Sequence, residues 1–326
     1  MNGDIMGIIV SFSLNEENVQ ETIGRMVERI SMKYLVLGAN GYIGKYFYRR
    51  MKQEGLEVIG TGHHSGEEHG LVHFDIREDT ISDITRCITG KEKAAILCIA
   101  QTNIDRCKTE YELSREINVT AIKKVIETLI QENYYVIYFS TDNVFDGVKG
   151  NYTESDMTNA INQYGKMKEE MEAFLTDTYP EVCIFRLPKV LGGERDVKNI
   201  LTDWENKLAD DEIRCIRDMK MTVVAKEDIY QACLIAVRQK LKGIYNLCSG
   251  EIYSRKELAI KFFEWLGAEN KDIVELDVEE FGFRDQRPLN IGLNNAKFGK
   301  ETGYQFKTYR MIVEEYLQNN RQSGKK

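Results

Sequence analysis

From residue 33 onward, short apolar runs alternate with stretches in which apolar residues recur every three or four positions. The apolar runs at 33–37, 56–60, 71–74, 94–99, 134–140 and 182–187 predict strands, and the helical spacings predict helices at 43–54, 78–89, 112–131 and 161–178. Strand and helix in strict alternation is the pattern of parallel strands joined by crossover helices. It predicts an α/β fold with a doubly wound parallel sheet and a ligand crevice at the carboxyl ends of its strands. After Pro188 the pattern loosens, with helices expected near 197–209, 226–240, 255–266 and 308–318 and short extended pieces between them, which predicts a smaller C-terminal lobe. Before residue 32, Val19, Ile23, Val27 and Ile30 mark one helical face. The run Ile5 to Val10 lacks the basic flank of a secretion signal. Residues 1–31 therefore read as an N-terminal extension, either an added helix or the product of a wrongly chosen start codon.

Composition narrows the class. With 326 residues, 42% of them apolar, the chain can bury a large core. A net charge of −8 argues against nucleic acid or an anionic membrane as partner. No apolar run reaches the length of about 18 residues that a spanning helix needs. The seven cysteines form no CxxC pair, so neither a disulfide framework nor a structural zinc site is expected, and a reduced, cytoplasmic setting is the simplest reading. Only three prolines and no low-complexity linker occur, so the two parts of the chain are expected to pack together.

Lys33-Tyr34-Leu35-Val36-Leu37-Gly38-Ala39-Asn40-Gly41-Tyr42-Ile43-Gly44 runs from a strand through three spaced glycines into a helix. One glycine permits a tight turn, one lets backbone approach a diphosphate, and one lets helix and strand close up, while free amides at the helix start receive the anion. Residues 32–187 are therefore assigned to a dinucleotide-binding Rossmann domain and 188–326 to a substrate-binding lobe that can return elements to the sheet. The second strand ends Val58-Ile59-Gly60-Thr61-Gly62-His63-His64, with neither the carboxylate that would hold a ribose 2′-hydroxyl nor an arginine. This favours NADP, with NAD as the alternative and His63 or His64 beside the 2′-phosphate. The four histidines, 63, 64, 69 and 73, cluster here without cysteine or other ligands, and no metal is expected.

A strand ending Tyr138-Phe139-Ser140-Thr141-Asp142 is followed by Tyr164-Gly165-Lys166-Met167-Lys168. Four apart on a helix, Tyr164 and Lys168 share a face. The ammonium is expected to favour phenolate and lower the tyrosine pKa, so that Tyr164 serves as general acid or base beside a hydroxyl that holds the substrate oxygen. A second YxxxK match, Tyr48 with Lys52, lies on the first helix and is read as helix surface.

Together with Ala100-Gln101-Thr102-Asn103-Ile104-Asp105, Asn118-Val119-Thr120 and Ser140-Thr141-Asp142-Asn143-Val144-Phe145-Asp146-Gly147, these motifs resemble the extended short-chain dehydrogenases/reductases over about residues 33 to 305. The Ser-Thr-Asp-x-Val-Phe-Asp-Gly string and Arg287-Pro288-Leu289-Asn290 are most similar to the dTDP-4-dehydrorhamnose reductases. The resemblance implies hydride transfer from a nicotinamide to the C4 ketone of a nucleotide-linked deoxyhexose. Tyr164 would protonate the alkoxide, Lys168 would tune Tyr164 and bind the nicotinamide ribose, and Thr141 would bond the reacting oxygen. It also implies cofactor contacts from Gly38, Asn40, Gly41, Tyr42, Ile43 and Gly44, from Asp75 and Ile76 near the adenine, from Ala100 and Thr102, and from Asn118 through a relay water.

The string departs from the reductase pattern at Asn143, where that pattern has tyrosine in a position linked to sugar contact. The Asp-Glu pair of the related dehydratases is missing, since Asp142 is followed by Asn143. Arg287, and less so Arg284, are candidates for the nucleotide diphosphate. Trp204 and Trp265 read as core residues. Two other readings stay open: a sugar-nucleotide epimerase, and a non-catalytic, NADP-binding regulatory subunit resembling the methionine adenosyltransferase beta subunit. A homodimer is the candidate assembly.

Overall fold

The computed structural model describes residues 32–63, 70–193, 199–208, 212–268 and 271–323; the N-terminal extension, His64 and His69 lie outside them. Seven strands form the main sheet: β1 (Lys33–Leu37), β2 (Glu57–Gly62), β3 (Val72–His73), β4 (Lys93–Leu97), β5 (Tyr135–Thr141), β6 (Cys183–Leu187) and β7 (Gly243–Asn246). Their order is β7-β6-β5-β4-β1-β2-β3, and every neighbouring pair is parallel. The order reverses beside β1, between β1 and β4, so the crevice opens above β1 and β4. Six strands match the apolar runs. The seventh, Gly243–Asn246, comes from beyond residue 187 and pairs with β6.

Helices cover both faces. On one, Phe47 and Met51 of α1 (Tyr42–Gln53) and Ile229, Tyr230 and Cys233 of the long helix after residue 225 pack on Val36, Ile96 and Phe139. On the other, Val125, Ile126 and Leu129 of α2 (Ile122–Gln131) and Met167, Met171 and Leu175 of α3 (Gln163–Thr178) pack on Leu35, Leu97 and Tyr138. Alternate residues of one strand thus feed opposite layers, as the period of two requires. Tyr48 belongs to the first layer. It is buried, with its hydroxyl donating to the Gly70 carbonyl at 3.2 Å, rather than on the helix surface as expected.

The smaller lobe has its own core, in which Trp204, Phe262, Phe263, Tyr309 and Tyr316 meet. Its helix Arg255–Leu266 begins with a capping box between Ser254 and Glu257 and ends at Gly267, whose φ of +80° suits glycine. The predicted helix at 78–89 shrinks to Ser82–Thr85, preceded by a single turn in which the amides of Glu78 and Asp79 donate to the Asp75 carbonyl. The predicted 112–131 helix contains a wide π-helical turn, Glu116–Ala121, between Tyr111–Arg115 and α2. Helices Ile104–Thr109 and Ala296–Thr302 were not anticipated. The predicted 197–209 helix is seen as Ile200–Asn206 and partly lies outside the described residues.

Candidate active site

Two cavities lie along the carboxyl ends of the strands, of about 660 and 360 Å³, and they share Gly41, Cys98, Ile99 and Ala100 as a common wall. They form one cleft. At its waist the β1–α1 turn is held open by glycine. Gly38 has a φ of +82°, and a side chain on Gly44 would place its Cβ 2.2 Å from the Gly38 carbonyl oxygen. The start of α1 has no side-chain cap at Gly41. The positive end of the helix dipole faces the cleft here, and this cradle fits the diphosphate of a dinucleotide.

The smaller cavity is lined by Gly38, Asn40, His63, Asp75 and Ile76, as the cofactor reading expects, and also by Arg77 and Arg106. The Asp75 carboxylate accepts from Arg77 Nε at 3.2 Å and Nη2 at 2.8 Å, and it lies 3.3 Å from His63 Nδ1. The Arg77 hydrogen bond is the main force holding the Asp75 carboxyl below its ordinary range. The second strand carries no arginine, but the fold brings one in from the end of the third. Its signal was a cation two residues after Asp75, at the carboxyl end of a strand. Among the described residues no group of three His, Cys, Asp or Glu could hold a metal.

The larger cavity is lined by Tyr42, Ile43, Thr102, Thr141, Tyr164 and Lys168, and by Asn143 and Arg287. Gly165 explains how Tyr164 reaches Thr141. A Cβ at Gly165 would sit 2.1 Å from the Asn143 carbonyl, so glycine lets α3 press directly on the loop after β5. Asn162 caps α3 by accepting from the Gly165 amide at 2.8 Å, and its own amide donates to Asn143 Oδ1 at 3.0 Å. Gly147, with φ of +79°, does the same for the returning chain, since a Cβ there would lie 2.7 Å from the Leu289 nitrogen. The motif string and Arg287-Pro288-Leu289-Asn290 are thus two halves of one packed loop pair, joined by the Asn290 amide donating to the Gly147 carbonyl at 3.0 Å.

The electrostatics differ from the sequence expectation. Lys168 Nζ donates to the Tyr138 hydroxyl at 3.1 Å and the Phe139 carbonyl at 2.8 Å. Burial pushes its pKa down to about 7. Tyr164 is not lowered by this ammonium; burial, then the Asp142 carboxylate and Cys107, push the phenol well up. The i, i+4 rule correctly put both side chains on one face of α3, but the ammonium spends its protons on β5, and desolvation penalises charge on both groups. Next to them Asp142, buried, has its pKa pushed up to about 7 by desolvation. It accepts from Thr141 Oγ1 at 3.1 Å and Asn143 Nδ2 at 2.9 Å.

Asn118 and Gly44 line neither cavity. Gly44 acts through close packing. The Asn118 side chain clamps the Ala100–Thr102 turn instead, accepting from the Gln101 amide at 2.8 Å and donating to its carbonyl at 2.9 Å. Arg287 pairs with Asp105 at 3.0 Å, and Arg284 contributes a backbone amide to the same carboxylate at 2.8 Å. Lys189, directly after Pro188, lines the larger cavity and was missed; its position just past the sixth strand was the available signal.

The family model described as the RmlD substrate binding domain matches residues 32–322. The dTDP-4-dehydrorhamnose reductase of Aggregatibacter actinomycetemcomitans is 26% identical over 291 residues, 84% of this chain and 94% of that protein. Methionine adenosyltransferase 2 subunit beta of Danio rerio is 25% identical over 275 residues, 81% of this chain and 83% of that protein. Among solved structures, a dTDP-4-dehydrorhamnose reductase of Clostridium acetobutylicum superposes with a TM-score of 0.79 at 26% identity, over 89% of this chain and 100% of that one.

Proposed function

The chain belongs to the RmlD substrate-binding-domain family, and from that membership and the cleft we propose that it is an NADPH-dependent reductase of a nucleotide-linked 4-keto-6-deoxy sugar. One observation carries the reading: Thr141, Tyr164 and Lys168 converge on the cavity whose wall continues through Gly41 into a second cavity fitted with Arg77 and His63. When bound, the dinucleotide supplies hydride to the sugar C4. Tyr164, kept protonated by burial, hands its proton to the oxygen of that carbon, and Thr141 holds the same oxygen in line. Lys168 braces the site through Tyr138 and Phe139. Arg77 supports the choice of NADPH, since a guanidinium matches a phosphate in a bidentate way. Lys189 and Arg287, the latter paired with Asp105, line the same cavity and are cations that a sugar-linked diphosphate could meet.

The likeness to the methionine adenosyltransferase subunit favours a second reading, a cofactor-binding subunit that works through a partner. Purified protein mixed with NADPH and dTDP-4-keto-6-deoxyhexose separates the two by loss of cofactor absorbance. Turnover is expected, with Tyr164→Phe reducing kcat by about 10² to 10⁴ while NADPH still binds. Tight NADPH binding without turnover on any keto sugar overturns the reductase reading.

A further inference from the structure

Tyr164 and Thr141 are assigned to one substrate oxygen, yet they come from different elements, α3 and β5. Asn162 joins the two. Its Oδ1 accepts from the Gly165 amide at 2.8 Å, in the first turn of α3 and next to Tyr164. Its Nδ2 donates to Asn143 Oδ1 at 3.0 Å, and the Asn143 backbone amide donates in turn to Thr141 Oγ1 at 3.2 Å. The same Nδ2 donates to the Gln286 carbonyl at 3.3 Å, in the segment that carries Arg287. One main-chain donor and one main-chain acceptor fix which end of the carboxamide is which. Asn162 is fully buried and lines neither cavity, whereas Tyr164, Thr141, Asn143 and Arg287 all line the larger one.

Capping the helix needs only the side-chain oxygen, and serine or aspartate would supply it about as well. A carboxamide adds donors, and here they reach the loop after β5 and the segment at Gln286 at once. The surroundings leave little room for another arrangement. A Cβ at Gly165 would meet the Asn143 carbonyl at 2.1 Å, and the Asn159 amide donates to the Val144 carbonyl at 2.9 Å. The chain entering α3 is therefore laid along the loop after β5, with Asn162 at the junction.

We propose that Asn162 is a positioning residue of the reduction, which sets the Tyr164 phenol relative to the Thr141 hydroxyl by tying the start of α3 to Asn143. This rests on the reductase reading. Asn162 touches neither substrate nor cofactor; it acts through Asn143 and the first turn of α3. A general acid works only within hydrogen-bond reach of the reacting oxygen, and a misplacement of about 1 Å can cost about a hundredfold in rate. The diphosphate cradle lies on the β1–α1 turn, apart from these contacts, so losing them falls on the chemical step and spares cofactor binding.

Two variants separate positioning from capping. Asn162→Ser keeps a cap and loses both donor contacts; Asn162→Asp keeps shape and cap but turns an acceptor toward Asn143 Oδ1 and the Gln286 carbonyl. With NADPH and dTDP-4-keto-6-deoxyhexose, both should lower kcat at least tenfold, while NADPH binds at full stoichiometry and within twofold of the wild-type affinity. In an Asn143→Ala background, Asn162→Asp should lower kcat less than threefold, because the link it breaks is already gone. Wild-type kcat in either variant means that Asn162 only caps the helix, and overturns the proposal. So does a loss confined to KM, a fall in NADPH stoichiometry that accounts for the fall in kcat, or a tenfold loss that persists in the Asn143→Ala background. Each of these leaves the reductase reading intact. A wild type that reduces no keto sugar overturns that reading, and the positioning role falls with it.

Discussion

Arg77 illustrates how a candidate for reading the cofactor's 2′ position can stand away from the expected place. Its guanidinium grips Asp75 through two hydrogen bonds while sharing a cavity with His63, Asn40 and the glycine turn. A 2′-phosphate arriving there would meet a planar cation already oriented by its carboxylate. Arg77→Ala is therefore expected to weaken NADPH binding roughly tenfold and leave NADH binding unchanged, as fluorescence titration of the two cofactors would measure. Equal losses for both would mean that the arginine only orders Asp75. Chain order hid this residue, because the dinucleotide rule looks to the end of the second strand and the cation stands after the third. Tyr164, Thr141 and the glycines were legible for the opposite reason. Each sits at the carboxyl end of a strand or the start of the next helix, where parallel topology itself directs side chains to the cleft. The acceptors of Lys168 were not legible, since helical spacing says which face a side chain shares and nothing about which strand atoms lie beneath it.

At the scale of elements, α3 has to present Tyr164 while withstanding the desolvation of its own charges. Glu172, two turns further along, is buried against Arg186 of β6, with Nε–Oε1 at 3.0 Å and Nη2–Oε2 at 2.6 Å. The pair ties α3 to the strand next to β5 and so holds the helix against the sheet. Replacing Glu172 by alanine would leave a buried guanidinium without its counter-charge and should cost about 3 to 5 kcal/mol in urea unfolding. A Glu172→Leu/Arg186→Leu double variant should recover most of that loss, and if it does not, the pair is not the source of the cost. The first six strands were readable because their apolar runs stand out from the helical pattern around them. The seventh is four residues long and contains glycine and asparagine, so its pairing with β6 rests on tertiary contacts alone. The π-helical turn was equally invisible. Its reason lies in the Asn118 clamp on Gln101, a contact between segments 17 residues apart.

Across the whole molecule, the larger cavity draws its walls from residues before and after Pro188, and the segment 284–288 crosses to the helix after β4 and to the start of α3. Asp105, at the start of the helix after β4, accepts the amides of Arg284 at 2.8 Å and Asp285 at 3.2 Å and pairs with Arg287 at 3.0 Å. Burial of Asp105 works against its charge, but these three donors outweigh it and hold its carboxyl below the ordinary range. Asp285 in turn accepts the Gln163 amide at the start of α3 at 2.8 Å. One carboxylate on the sheet side therefore sets the position of the strap, and the strap sets both Arg287 and the entrance of the Tyr164 helix. Asp105→Ala should release that strap without touching the reacting groups. Its signature in steady-state assays is a KM for the nucleotide sugar raised roughly tenfold with kcat near the wild-type value, the pattern of lost uniform binding. A fall in kcat at unchanged KM would instead place Asp105 in the alignment of Tyr164, because the strap and the helix start share the Asp285 hydrogen bond.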